Sequence, residues 1–144
     1  NIIAPDYIIK IIQQVNENVV FTAPSISQRA AIYALRNRDE VQPAMIEEYK
    51  KRVFYSAERI ADIPKISVID PPKGTFYLFI NIRETGLTSV EASDMILREA
   101  HVLTLPGDAF GNCGEGYIRI ACTCSIDVLG EAFDRIERVM KARV

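Results

Sequence analysis

Apolar positions along this chain keep one rhythm up to about Asp62 and another from Ile66 onward. In the first stretch they recur at three- and four-residue steps, the period of one face of an α-helix. Ile8, Ile12, Val15 and Val19 form such a stripe behind Pro5, and proline suits a first helical turn, so a helix is predicted to begin there. A second helix is predicted after "APSISQ". Ser25 and Gln28 stand at capping-box spacing, and Ala31, Ala34 and Leu35 supply its apolar side. A third, long helix is predicted from near Pro43 to about Asp62. Ile46, Tyr49, Val53, Ala57 and Ile60 make its apolar face, while Glu47, Glu48, Lys50, Lys51, Arg52 and Glu58 read as a solvated one.

Short runs replace the long periodicity after Ile66. "KISVID" reads as a strand, "PPKG" as a turn, and "TFYLFINI" as a strand apolar on both sides, hence covered on both faces. Thr88 and Glu91 repeat the capping-box spacing and open a helix to about Ala100. "HVLTL" is a third strand, "PGDAFGNCGEG" a loop, and "YIRIACT" a fourth strand. Ser125 is placed to cap a last helix, with Asp127 in its first turn and Leu129, Ala132, Phe133, Ile136 and Met140 facing inward. Three helices, two strands, a helix, two strands and a helix make an α+β fold. It is an α/β sandwich with a small sheet of about four strands, mixed or antiparallel.

Composition narrows the classes without naming one. At 144 residues the chain is one domain by length, and a domain of that size buries roughly 70% of its unfolded surface. The net charge of −2, with no basic block, argues against a nucleic-acid footprint. No apolar run approaches the roughly 20 residues of a membrane span. Three cysteines, Cys113, Cys122 and Cys124, read as reduced thiols in a cytoplasmic protein. Cys122 and Cys124 share a strand face that suits small buried side chains. With one distant histidine they match no zinc spacing, and no metal site is expected.

Few residues are placed to do chemistry. His101 is the lone histidine and reads as structural. The glycine-rich "GNCGEG" leads into a strand, whereas a phosphate-binding loop should open a helix, so a flexible turn is expected. Arg119 is different. Strand alternation sets Tyr117, Arg119, Ala121 and Thr123 on one face, opposite Ile118, Ile120, Cys122 and Cys124. A guanidinium in a half-buried strand either escapes to water on an open sheet face or meets an anion there.

Three segments, "APSISQRAAIYAL" (23–35), "PPKGTFYLFINI" (71–82) and "LPGDAFGNCGEGYIRIACT" (105–123), occur in an order that resembles the C-terminal part of fold-type I, pyridoxal-phosphate-dependent aminotransferases. The similarity covers essentially the whole chain and is nearest the class I/II branch that holds aspartate and aromatic aminotransferases. The resemblance implies that Arg119 forms a bidentate salt bridge with a substrate α-carboxylate. It implies that residues 1–144 are the small domain, with the first 40 or so residues and the helix at 43–62 leading in from an N-terminal, cofactor-binding domain. The Schiff-base lysine of a Ser-x-x-Lys motif would lie before Asn1, because Lys10, Lys50, Lys51, Lys65, Lys73 and Lys141 all lack that context.

No catalytic or cofactor-binding residue is therefore expected in this chain. It would be inactive alone, with pyridoxal 5'-phosphate held by the intact, homodimeric enzyme, whose substrates are an amino acid and a 2-oxo acid. A carbon–sulfur β-lyase of the same fold, or a free-standing α+β interaction module, are the alternatives. Ile80 departs from the proline many relatives carry, and the three cysteines stand where small residues are common. Whether Tyr77, Phe79 and Phe110 line a pocket or merely pack stays open at this level.

Overall fold

A computed structural model describes residues 2–69 and 72–143. The chain divides into two compact units, residues 1–43 and 44–144. Ile2–Pro5 has no regular structure, and then α1 (Asp6–Val19) and α2 (Ser25–Arg36) follow. The predicted helices are present, but neither contains a buried residue. Val15 and Val19 of the α1 stripe are exposed, and Ile8 and Ile12 only half-buried. The Ser25–Gln28 capping box does not form. Pro24, with extended ψ, takes the N-cap position, Ser25 is already helical, and the Gln28 side chain donates instead to the Ala23 carbonyl, 2.7 Å away.

The long helix α3 (Arg38–Ala61) begins earlier than Pro43, which lies inside it. Proline lacks an N–H, so Pro43 leaves the Asp39 carbonyl without its usual partner. Further along, α3 buries Val53, Ser56 and Ile60, whereas Ile46 of the predicted face is exposed. Arg52, read as part of a solvated face, is half-buried and donates to the Thr123 carbonyl at 2.6 Å.

Four strands follow among the described residues: β1 (Ser67–Val68), β2 (Tyr77–Asn81), β3 (Leu105–Pro106) and β4 (Tyr117–Ala121). Asp70 and Pro71, the end of "KISVID" and the start of "PPKG", lie outside the described residues. The sheet is antiparallel throughout, in the order β1-β2-β4-β3. Tyr77 pairs with Ala121, Phe79 with Arg119 and Asn81 with Tyr117, so the two long strands are central neighbours. Bonds from the Cys122 N–H to the Phe76 carbonyl and from the Ile82 N–H to the Gly116 carbonyl extend this ladder at both ends.

Between β2 and β3, α4 (Ser89–Met95) starts with the predicted capping box. The Thr88 hydroxyl accepts from the Glu91 N–H, and the Glu91 carboxylate accepts from the Thr88 N–H at 2.9 Å. α4 runs into a π-helical turn, Ile96–Ala100, and stops at His101 in the left-handed region, φ 55°. α5 (Ile126–Lys141) closes the described fold and buries Leu129, Phe133, Ile136 and Met140.

One face of the sheet supplies the core. Leu78, Ile80, Ile118 and Ile120 are buried in one cluster with Ile96, Phe133 and Ile136 from the helices. Each such side chain contributes about 1.5–3 kcal/mol on leaving water. The expectation that β2 is covered on both sides does not hold within this chain: its burial alternates, with Phe79 exposed and Tyr77 and Asn81 half-buried. The strand β4 ends at Ala121, so the alternation that buries Cys122 does not carry through to Cys124, which is exposed. All three cysteines are free thiols.

Candidate functional site

The uncovered face of the sheet carries Tyr77 and Phe79 from β2, and Tyr117 and Arg119 from β4. Arg119 is half-buried at its centre, between Phe79 on one neighbouring strand and Leu105 on the other. Its Cζ lies 4.2 Å from the centroid of the Tyr77 ring and 4.4 Å from that of Phe110. Tyr77 reaches it diagonally across the β2–β4 pair, a separation aromatic side chains can span. Phe110 comes from the loop between β3 and β4. Both rings stand at cation–π distance from the guanidinium, and no hydrogen bond to another described residue takes up its N–H donors. Each contact contributes about 0.5–1 kcal/mol at an exposed site. Among the described residues no carboxylate pairs with Arg119.

The rings also support one another. Phe79 stacks on Tyr117 at 5.1 Å and meets Phe110 edge-on at 6.3 Å, and the Arg83 guanidinium lies 4.8 Å from the Tyr117 ring centroid. Beside them opens a cleft of about 550 Å³, lined by Val68, Ile69, Lys73, Tyr77, Phe79 and Tyr117 among others. Thr75, at its edge, holds φ 66°, a left-handed conformation that costs a β-branched residue about 1–3 kcal/mol. The face is therefore cationic and aromatic, and the cleft beside it is open and shallow, lined by Tyr77 and Phe79 but not by Arg119 or Phe110.

The loop that carries Phe110 is held by devices the sequence does not advertise. Gly107–Phe110 and Asn112–Gly114 form two 3₁₀ turns, and the backbones of Gly107 and Gly114 press together so closely that neither could carry a side chain. Ser89, fully buried in the first turn of α4, accepts hydrogen bonds from the Gly116 N–H at 2.9 Å and the Tyr117 N–H at 3.2 Å, and its hydroxyl lies 3.4 Å from the Gly114 carbonyl. Glu115 returns the tie by accepting from the Ser89 N–H at 2.9 Å. A serine after an N-cap threonine carries no signal of this role, and sequence reading missed both residues.

The other residues singled out in the sequence lie elsewhere. His101 terminates the π turn and is exposed. Among the described residues no three of His, Cys, Asp and Glu gather to hold a metal ion, and no described helix is long and apolar enough to cross a membrane. Lys65 donates to the Arg143 carbonyl and Lys141 pairs with Glu137, while Lys10, Lys50, Lys51 and Lys73 are exposed. Lys73 reaches the cleft from a turn whose described lining holds no carboxylate.

Residues 1–136 match the family model for aminotransferase class I and II. The chain is 40% identical over 141 residues to a Bacillus subtilis protein named probable N-acetyl-LL-diaminopimelate aminotransferase, and 37% identical over 142 residues to the aspartate aminotransferase of Pyrococcus horikoshii. Each match takes in 97% of this chain but only 35% and 36% of the relative, so the chain spans about a third of the curated relatives it matches. Among solved structures, the aromatic aminotransferase from Pyrococcus horikoshii superposes with a TM-score of 0.82 at 37% identity, over 97% of this chain and 38% of that one.

Proposed function

Because this chain belongs to the class I and II aminotransferases, we propose that it is the substrate-carboxylate-binding part of an enzyme that moves an amino group between an amino acid and a 2-oxo acid. The single observation that carries this reading is the guanidinium of Arg119, oriented by two aromatic rings on an open sheet face and left without a carboxylate among the described residues. A planar fork in that setting matches an α-carboxylate with two parallel charge-assisted hydrogen bonds, together contributing on the order of 1.5–3 kcal/mol. Arg119 fixes one end of the amino acid, and the rings keep water off the pair. The Cα–H is thereby held in one direction, toward a base on another part of the enzyme.

Pyridoxal 5'-phosphate is the cofactor of the family and supplies an electron sink when bound. The described residues of this face do not by themselves fit it: they offer no carboxylate for a ring nitrogen and no lysine in an attachment motif. On this proposal the groups that hold it belong to the rest of the polypeptide, in a homodimeric, cytoplasmic enzyme. Residues 1–43 and the start of α3 lead in from that other domain. The division of the chain after Pro43, and two helices that contain no fully buried residue, support this assignment.

Arg119→Ala and Arg119→Lys, made in the intact enzyme, test the reading. Loss of the bidentate pair raises KM for every amino-acid donor by about 10–150-fold with Ala. Lysine restores the charge but not the fork, and recovers only part of the loss. Cofactor content, read by absorbance, stays at the parent level. A KM that does not move across donors refutes the assignment.

A further inference from the structure

The guanidinium is only as well placed as the two rings beside it, and those rings are held differently. Tyr77 opens β2, where it pairs with Ala121 and the bond from the Cys122 N–H to the Phe76 carbonyl holds the strand end. Phe110 sits on a loop and is 50% exposed. Its aromatic neighbour is Phe79, edge-on at 6.3 Å, so core packing does not fix it. Its position over Arg119 follows from the path of the backbone between Gly107 and Gly114.

That path is tied to the rest of the fold through one hydroxyl. Ser89 directs its side-chain hydrogen bonds to Gly114, Gly116 and Tyr117, the last residues of the loop and the first of β4. Tyr117 opens β4, and Arg119 beyond it is held by its pairing with Phe79 and Leu105, so what the hydroxyl fixes is the end of the loop that bears Phe110. The bond from the Ser89 N–H to the Glu115 carboxylate closes the clasp from the other side.

We propose that Ser89 is a positioning residue for substrate-carboxylate binding, acting through the loop 107–116 and the Phe110 ring on Arg119. The inference rests on the carboxylate role of Arg119 proposed above. Ser89 itself touches no substrate. Its hydroxyl keeps the ring over the guanidinium, and so keeps the N–H fork in the plane that a carboxylate needs.

A double-mutant cycle in the intact enzyme tests this, with KM for several amino-acid donors as the readout. Ser89→Ala is expected to raise KM by about 2–5-fold, the value of one ring over a guanidinium, and Phe110→Ala by a similar factor. Ser89→Ala added to Phe110→Ala should then change KM by less than about 1.5-fold, because the ring that relays the effect is already gone. A merely structural serine gives factors that multiply. Glu115 is exposed, so Glu115→Ala loosens the same clasp without emptying the core, and it should repeat the pattern at about 2-fold. If Ser89→Ala yields no soluble protein, the cycle of Glu115→Ala with Phe110→Ala decides between the two roles. Unchanged KM in Ser89→Ala or Glu115→Ala, or multiplying factors in the cycle, overturns the inference while an elevated KM in Arg119→Ala leaves the carboxylate reading standing. An unmoved KM in Arg119→Ala overturns both.

Discussion

Gly107→Ala puts the architecture of the Phe110 loop to a direct test. A Cβ built on Gly107 would overlap the Gly114 carbonyl oxygen, lie 2.7 Å from the Tyr117 carbonyl oxygen and 3.0 Å from the Phe79 ring. Two of the three obstacles are backbone and cannot rotate aside, so one of the 3₁₀ turns must move by an ångström or so. Overpacking of this kind costs about 1–3 kcal/mol, and obstruction by main chain on two sides places the loss near 3. For a chain of this size each kcal/mol lowers the melting temperature by about 4 °C, which gives a drop of roughly 12 °C. Gly74→Ala is the matched control. Among the described residues nothing lies within 4 Å of its would-be Cβ, and its φ is not positive, so a neutral change or a gain of about 0.4–1 kcal/mol is expected. Thermal unfolding followed by circular dichroism reads both. A Gly107→Ala protein that melts within about 2 °C of the parent would mean that the two turns are not in contact, and the account of the loop fails with them.

Two further outcomes follow from side-chain environments. Burial pushes the Cys122 thiol up, with a hydrogen bond involving Ser56 acting the other way, whereas Cys113 and Cys124 are exposed. A thiol reagent at mild pH should label two cysteines in the folded protein and the third only on unfolding; rapid labelling of all three contradicts the packing. Hydrogen bonds from the Thr88 N–H and hydroxyl hold the Glu91 carboxyl below the usual glutamate range. A depressed folded value means that its stabilising effect is complete above the unfolded value, near pH 4.3, and fades as pH falls through the folded one. Glu91→Gln should therefore flatten the acid limb of a stability–pH curve, and a limb of unchanged steepness would show that the capping box carries no charge-dependent stability.

Much of this was legible in the residues, and the failures have local causes. Thr88–Glu91 and Ser25–Gln28 have the same spacing, yet only the first forms a box. Thr88 adopts the extended conformation an N-cap needs, while Pro24 claims that place one residue before Ser25. Period-two alternation placed Arg119 on the face opposite Ile118 and Ile120, as found, but could not say that β4 stops at Ala121, and so misplaced Cys124. Spacing also could not reveal that Phe110, nine residues before Arg119, returns to cover it. That contact depends on two glycines folding the chain back on itself and on a serine from a helix more than twenty residues earlier.

The register of β2 against β4 pairs even-numbered residues with even and odd with odd. Leu78, Ile80, Ile118 and Ile120 are sealed on one side, and Tyr77, Phe79, Tyr117 and Arg119 line the other. Selection can thus act on two independent alphabets within ten residues. On the proposed function, exchanges at odd positions retune what the surface accepts while the scaffold beneath keeps its shape, and the even positions drift among aliphatic side chains without effect on that face.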